Sequence, residues 1–169
     1  MTSAEVPVST SPAGWRHGRR TLVTVAVILA AAAMVVGPIA HEALSGGRTV
    51  DLGLLQLQLT YNTGVAFSLG DQLPTAVVLT VTAAVTAAIS VFAWRTAPDG
   101  RPIQTVGLAA IVAGATANVI DRLLDGKVTD YFYTGWFATF NLADTFITCG
   151  AVLVIGALLL ESASKDDVP

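Results

Sequence analysis

The stretch that decides the fold covers residues 103–124 and reads IQTVGLAAIVAGATANVIDRLL. Most of it is apolar or small, and ionisable side chains come only near its end, where Asp121 and Arg122 follow Asn118. A run of about 20 apolar residues can cross the hydrocarbon core of a bilayer as a helix. The stretch therefore predicts a membrane-spanning helix that carries polar groups near one end.

The rest of the chain repeats this pattern. Three further apolar runs cover residues 21–40, 73–94 and 140–160. Of the 169 residues, 53% are hydrophobic and only 12% are charged, whereas an ordinary soluble domain carries about 25% charged residues. We therefore expect an all-α polytopic membrane protein with four transmembrane helices, formed by a single domain of residues 21–160.

The flanking segments and the basic residues predict the topology. Residues 1–20 are rich in Ser, Pro and Thr and predict a disordered cytoplasmic tail, and residues 161–169 form a cytoplasmic C-terminal tail. The first apolar run is longer than the h-region of a cleaved signal peptide, so we expect it to be retained. Basic residues mark the cytoplasmic side of a membrane protein. They lie before the first span and between the second and third: Arg16, Arg19, Arg20, Arg95 and Arg101.

The two remaining loops face outward in this topology. Residues 55–60 read LQLQLT, an alternation with period two that is typical of a strand. It predicts a small extracytoplasmic β-sheet. The second outward loop contains Tyr131, Phe132, Tyr133 and, further on, Trp136 and Phe137, and predicts an interfacial aromatic loop or helix.

Several functions are excluded by residue counts. The single cysteine, Cys149, cannot form a disulfide or a Cys-based metal site within the chain. His17 and His41 are too far apart for a ligand pair with helical spacing, so a metal site could use carboxylates only. The nine Lys and Arg residues form no long run beyond the N-terminus, which argues against nucleic-acid binding.

Polar residues gather where the third span leaves the membrane and the fourth enters it. Asn118, Asp121 and Arg122 share one helical face, as do Asn141 and Asp144, because their spacings are three and four residues. Asp130 lies in the loop between the two spans. Ionisable groups at membrane depth are costly to desolvate and are usually paired or functional. We expect these six side chains to converge at one place near the outer leaflet.

The residues alone leave more than one role open. Asp121 and Arg122 have opposite charges and predict an ion pair or a structural network. Asp130 and Asp144 would then share one proton, and such a pair can act as general base and general acid. A structural or ion-conducting polar cluster is the alternative, although the cytoplasmic halves of the spans are nearly free of ionisable residues.

Four motifs resemble, in order and spacing, those of bacterial lipoprotein signal peptidase, also called signal peptidase II. They are residues 62–68, NTGVAFS; residues 118–123, NVIDRL; residues 126–130, GKVTD; and residues 140–144, FNLAD. Members of this family are membrane aspartyl endopeptidases that cleave prolipoproteins just before a diacylglyceryl-modified cysteine. The resemblance implies the same activity for this chain, at the outer leaflet of the bacterial cytoplasmic membrane.

The resemblance also implies roles for particular residues. Asp130 and Asp144 would be the catalytic dyad. The positions that match the family's substrate pocket are Asn62, Asn118, Arg122 and Asn141, and those of its structural polar network are Asp121, Gly64 and Phe67. The implied partners are prolipoproteins, membrane lipids and cyclic-peptide antibiotics such as globomycin, with no metal or organic cofactor.

The chain departs from the family pattern in its first span. Gly37 and His41 stand where the family usually has an Asp and a Lys four residues later, and Ala117 and Val65 replace other small residues of the motifs. The chain is therefore expected to be a divergent member. Two alternatives remain at this point: a catalytically lapsed or re-purposed paralogue, and a non-enzymatic four-helix membrane protein with an outer-leaflet polar cluster.

Overall fold

The computed structural model describes residues 12–63, 74–97 and 101–166. Its helices are α1 (Pro12–Leu44), α2 (Thr75–Thr96), α3 (Pro102–Asp125) and α4 (Leu142–Asp166). Its strands are β1 (Thr49–Asp51), β2 (Gln56–Asn62) and β3 (Val128–Tyr133). The predicted fold class, four helices with a small sheet, is confirmed.

Each of the four helices contains a segment long and apolar enough to cross a membrane. In α3, 44% of the most apolar window is buried within the protein, against 11%, 11% and 17% in α1, α2 and α4. A helix that is surrounded by protein in a bundle has fewer faces for lipid. α3 is therefore the central helix, and it packs against the other three.

The outer helices extend further than the apolar runs suggest. α1 begins at Pro12, so residues 12–20 are helical where the sequence predicts a disordered tail. α4 continues to Asp166, through most of the predicted C-terminal tail. Continuing a helix beyond the bilayer satisfies backbone groups without new partners, and proline is tolerated in a first helical turn.

The strands form one antiparallel sheet in the order β1, β2, β3. The strand predicted over residues 55–60 is confirmed as the central strand β2. Its register with β3 places Thr60 opposite Asp130 and Tyr61 opposite Thr129. The sheet lies beside the end of α3 and the start of α4, and we call this end of the bundle the sheet end.

The aromatic segment divides into two parts. Residues 131–133 belong to β3 rather than to a loop, and Tyr131 is only 3% exposed. Trp136 and Phe137 lie in the loop that follows, and both are exposed. The predicted interfacial aromatic loop or helix therefore corresponds to a loop at Trp136 and Phe137, whereas its assignment is wrong for Tyr131, because β2 pairs with β3 up to Tyr133.

Small residues bring the helices together. At the sheet end Ala33, Ala117 and Ala143 form a buried cluster that joins α1, α3 and α4. Farther along the bundle, a Cβ atom added to Gly107 would lie 2.8 Å from the carbonyl oxygen of Gly150. Lipid gives no hydrophobic drive between helices, so close backbone approach of this kind is what holds membrane helices together.

Candidate functional site

The site is assembled from three elements at the sheet end. α3 supplies Asn118, Asp121 and Arg122 from its last two turns, and β3 supplies Asp130. Asn141 directly precedes α4 and Asp144 lies in its first turn. The six polar residues singled out by their spacing are therefore brought together.

Two carboxamides connect the two carboxylates. The Nδ2 group of Asn141 donates to Oδ1 of Asp130 at 2.8 Å and to Oδ1 of Asn118 at 3.1 Å. Asn118 in turn donates from Nδ2 to Oδ1 of Asp144 at 2.8 Å. The result is a continuous chain of hydrogen bonds from Asp130 to Asp144, in which Asn141 donates to both of its neighbours and Asn118 accepts from Asn141 and donates to Asp144.

The start of α4 fixes Asp144. Oδ1 of Asn141 accepts the backbone N–H of Asp144 at 3.0 Å, and Oδ2 of Asp144 accepts the backbone N–H of Asn141 at 3.1 Å. This reciprocal pattern resembles a capping box, in which an N-cap residue and the residue three places later satisfy free helix donors. The i, i+3 spacing of Asn141 and Asp144 thus caps the start of α4 and also fixes the two side chains in the site.

Asp121 has a structural partner. Its Oδ2 accepts the backbone N–H of Thr129 at 2.9 Å, which fastens β3 to α3. Arg122 turns instead to its own helix and donates from Nη1 to the Asn118 carbonyl at 3.3 Å. Of the two predicted roles, an ion pair or a structural network, these contacts correspond to the network, since adjacent helical residues point about 100° apart.

Arg122 supplies the positive charge of the site. The side chain is half-buried, and within the described residues its Nε has no hydrogen-bond partner. The electrostatic interactions of the guanidinium are largest with Asp144, then with Asp130 and Asp121. It therefore acts on the two carboxylates together.

Asp130 is 1% exposed. Burial, followed by the nearby Asp144, raises the pKa of Asp130 from 3.8 to about 6, although hydrogen bonds from Asn62 and Asn141 and the charge of Arg122 lower it. Burial penalises the charged form of a carboxyl group, and a neighbouring like charge adds to this effect. Asp130 is therefore the carboxyl group placed to carry a proton.

Asn62 reaches Asp130 across the sheet. Asn62 is opposite Val128 in the register, and residues two apart on a strand share a face, so Asn62 and Asp130 lie on the same face. Gly64 and Phe67, which the resemblance assigns to the polar network, lie outside the described residues.

Tyr131 supports the site and is not found by the motif spacing, whereas Tyr61 makes its contacts outside the site. Tyr131 accepts the backbone N–H of Leu142 through its hydroxyl group at 3.1 Å, and burial raises its pKa. The hydroxyl of Tyr61 lies 3.3 Å from Nδ1 of His41, and the ammonium of Lys127 lies 3.4 Å from the Tyr61 ring centroid. The alternation of β2 places Tyr61 on the face opposite to Asn62, so Tyr61 lies away from the face that Asn62 shares with Asp130.

Two cavities adjoin the network. The front groove, about 340 Å³, is lined by Asp144 together with apolar and small side chains of α4 and the aromatic loop, among them Trp136, Phe137 and Phe140. The back cavity, about 120 Å³, lies between α1 and α3 and includes Gly37, Asn118 and Asn141 in its lining. Among the described residues, no three His, Cys, Asp or Glu side chains are grouped to hold a metal ion.

Comparison with known proteins agrees with this architecture. A family model described as signal peptidase (SPase) II matches residues 21–160. A lipoprotein signal peptidase of Sinorhizobium fredii is 45% identical over 112 residues, which cover 64% of this chain and 64% of that protein. One from Brucella ovis is 41% identical over 114 residues, which cover 64% of this chain and 71% of its own length.

Two solved structures share the fold. Both are titled as bacterial membrane enzymes, and both are 26% identical to this chain. The first has a TM-score of 0.73 and covers 88% of this chain and 93% of its own. The second has a TM-score of 0.71, with 82% and 92% covered.

The fold and the site define a multi-pass membrane protein with two linked carboxylates at one end of a four-helix bundle. The family model covers most of this chain, from the first span to the last. The chain belongs to the signal peptidase II family, as its motifs indicate.

Proposed function

We propose that the chain is an aspartyl endopeptidase that removes the signal peptide from diacylglyceryl-modified prolipoproteins, with Asp130 and Asp144 as its catalytic dyad. The observation that carries this proposal is the pair of carboxamides, Asn118 and Asn141, that joins the two carboxylates. Such a network holds two acidic groups at fixed positions, as acid–base catalysis requires.

The environments of the two groups suggest different roles. Asp130 is buried and its pKa is raised to about 6, so it is the group that carries the shared proton. Both oxygens of Asp144 accept hydrogen bonds from N–H donors, which is the pattern of an ionised carboxylate. We assign Asp144 as the base and Asp130 as the acid.

The reaction then follows from these assignments. Asp144 takes a proton from water, and the water oxygen forms a bond to the scissile carbonyl carbon. Asp130 gives its proton to the amide nitrogen as the C–N bond breaks, and a later proton transfer from Asp144 to Asp130 restores the starting state.

The front groove suits a substrate that is largely apolar. Its aromatic side chains adjoin Asp144 and open between α4 and the exposed loop around Trp136. A signal peptide and the acyl chains of a lipidated cysteine would bury apolar surface there. The polar end of the groove would place the bond before that cysteine beside the dyad.

The orientation in the membrane follows from the basic residues. At the end opposite the sheet, the junctions of the spans carry Arg19, Arg20, Arg95 and Arg101. An excess of Lys and Arg marks the cytoplasmic side. We therefore propose that the sheet end faces outward at the cell membrane and that both termini are cytoplasmic.

The test is cleavage of a diacylglyceryl-modified prolipoprotein peptide by the purified chain in lipid. Loss of one catalytic carboxylate is expected to lower kcat by about 10²- to 10⁴-fold, so Asp130→Asn and Asp144→Asn should both be nearly inactive. Asp51→Asn is the matched control, because Asp51 lies exposed in β1 and Asn can still accept the Gly53 N–H. Its activity should equal that of the wild type.

The alternatives give different results. A lapsed paralogue would fold and bind the lipidated peptide without cleaving it. A non-enzymatic protein would neither bind nor cleave it. Turnover that survives in Asp130→Asn or Asp144→Asn would contradict the assignment of the dyad.

A further inference from the structure

The back cavity and the front groove lie on different sides of the carboxamide pair. Asn118 and Asn141 line the back cavity, and their other contacts are with Asp144 and Asp130. The two carboxamides, which share a hydrogen bond of 3.1 Å, therefore connect the lining of the cavity to the dyad. The front groove reaches Asp144 directly.

Gly37 on α1 faces the open space of the cavity. Ala33 is buried against Ala117 and Ala143, and Gly37 follows one turn later on the same helical face. A Cβ atom added to Gly37 would meet nothing within 4 Å. A larger side chain at this position would therefore extend into the space beside the polar residues of α3.

The lining of the cavity is mixed: apolar side chains such as Met34, Ile120 and Leu124 lie beside a group of polar residues that can bind water. Besides the two carboxamides it includes Asp121, Thr129 and Asp125, the last of which is exposed at the end of α3. A buried water needs two to four polar partners and occupies about 30 Å³ of liquid volume. A cavity of about 120 Å³ with these groups can hold several water molecules.

The front groove has the opposite character. Trp136, Phe137 and Phe140 contribute most of its aromatic surface, and under the proposed function the peptide and its acyl chains fill it. Hydrolysis consumes one water per turnover, and a filled apolar groove would exclude water from that side.

We propose that the back cavity is a hydrated site that supplies the dyad with water while substrate occupies the front groove. The proposal rests on the proposed peptidase function. It assigns water as the ligand of the cavity beside Gly37. Water would then reach the dyad from the back cavity, whereas the peptide enters through the front groove.

The first test fills the cavity. Gly37→Leu should lower kcat at least tenfold and leave KM within twofold, because it displaces water without touching the front groove. Gly37→Ser, which is small and polar, should keep kcat within twofold. Gly156→Leu is the matched control, since Gly156 is also helical, with nothing within 4 Å of an added Cβ, and it should behave as the wild type.

The second test reads hydration without turnover. In a Cys149→Ala background reconstituted in vesicles, Gly37→Cys should react at least tenfold faster than Gly156→Cys with a charged, water-soluble thiol reagent present on both sides. Equal and slow labelling of the two variants would overturn the proposal, as would full kcat in a folded Gly37→Leu protein.

The two tests separate the proposals. If the wild type cleaves no prolipoprotein, the peptidase function fails, and the labelling comparison still decides whether the cavity is hydrated. If the wild type cleaves and Gly37→Leu changes KM rather than kcat, the cavity affects substrate binding, and its assignment as a water site is overturned.

Discussion

Asn141 and Asp144 bond each other twice across the first turn of α4, through one side-chain acceptor and one backbone donor from each residue. The same Asn141 side chain holds Asp130 through its Nδ2 group. One residue therefore ends the loop, starts the helix and orients both carboxylates. Stability and activity can be separated experimentally at this position.

Replacement of Asn141 by alanine should affect both properties. Loss of an N-cap acceptor costs about 1 kcal/mol, and loss of the Nδ2 donor frees Asp130. We expect a lower Tm and almost no turnover in Asn141→Ala. Asn141→Ser keeps an N-cap acceptor but has no amide donors, so its Tm should stay close to that of the wild type while turnover is lost. Equal activity of the serine variant and the wild type would contradict the role of the carboxamide.

The pH dependence of kcat/KM should be bell-shaped, with its basic limb near pH 6. Asp130 must carry a proton in the proposed reaction, and its pKa is about 6. The hydrogen bond from Asn62 lowers this pKa, so its removal in Asn62→Ala should move the basic limb to higher pH. Measuring kcat/KM of the wild type and of Asn62→Ala over a pH series with the lipidated peptide gives the position of the basic limb in each. An unchanged basic limb in Asn62→Ala would argue against Asp130 as the titrating group.

Asp130 should reduce the stability of the fold at neutral pH. Its pKa is raised from 3.8 to about 6, so the folded state favours the protonated form, and stability is lost as pH rises through this range. Asp130→Asn carries no charge and should therefore have a higher Tm than the wild type above pH 6. The difference should vanish at pH values well below 3.8, where both the folded and unfolded carboxyl groups are protonated. Thermal unfolding in detergent across this pH range measures the difference in Tm between Asp130→Asn and the wild type. For the control Asp51→Asn, the difference in Tm should not change with pH in this way.

The crossing of α3 and α4 should tolerate no added atom at Gly107. A Cβ there would lie 2.8 Å from the Gly150 carbonyl oxygen, which is backbone and cannot move aside. We expect Gly107→Ala to reduce the stability by about 1–3 kcal/mol, as overpacking does. Gly156→Ala has open space, and alanine is the better helix former, so this variant should be at least as stable as the wild type. Unfolding of the two variants in detergent gives the comparison.

Much of the fold was predictable because membrane spans leave a strong composition signal. The four helices and strand β2 followed from apolar length and from period-two alternation. The extent of β3 could not be predicted in this way, because Tyr131 belongs to a strand only through pairing with residues some 70 positions earlier. Aromatic content alone gave the same prediction for buried Tyr131 and for exposed Trp136.

The site was predictable in membership and less so in contacts. Helical spacing placed Asn118 with Arg122 and Asn141 with Asp144, and their convergence follows from the short connection between α3 and α4. The partner of Asp121 was missed because it is a backbone N–H, that of Thr129, which no side-chain pattern reveals. The open space at Gly37 could not be predicted either, since it depends on how α1 and α3 approach each other.

The contact between Gly107 and Gly150 also bears on how sequence variation in this chain should be interpreted. Gly107 and Arg122 are 15 residues apart on α3, which corresponds to roughly 22 Å along a helix axis. A survey of all single substitutions would show two separate centres of intolerance, one around the carboxylates and one around this glycine pair. Only the intolerance around the carboxylates would reflect the chemistry of the site. The intolerance around the glycine pair would reflect how closely the backbones of α3 and α4 must approach for the carboxylates to come together.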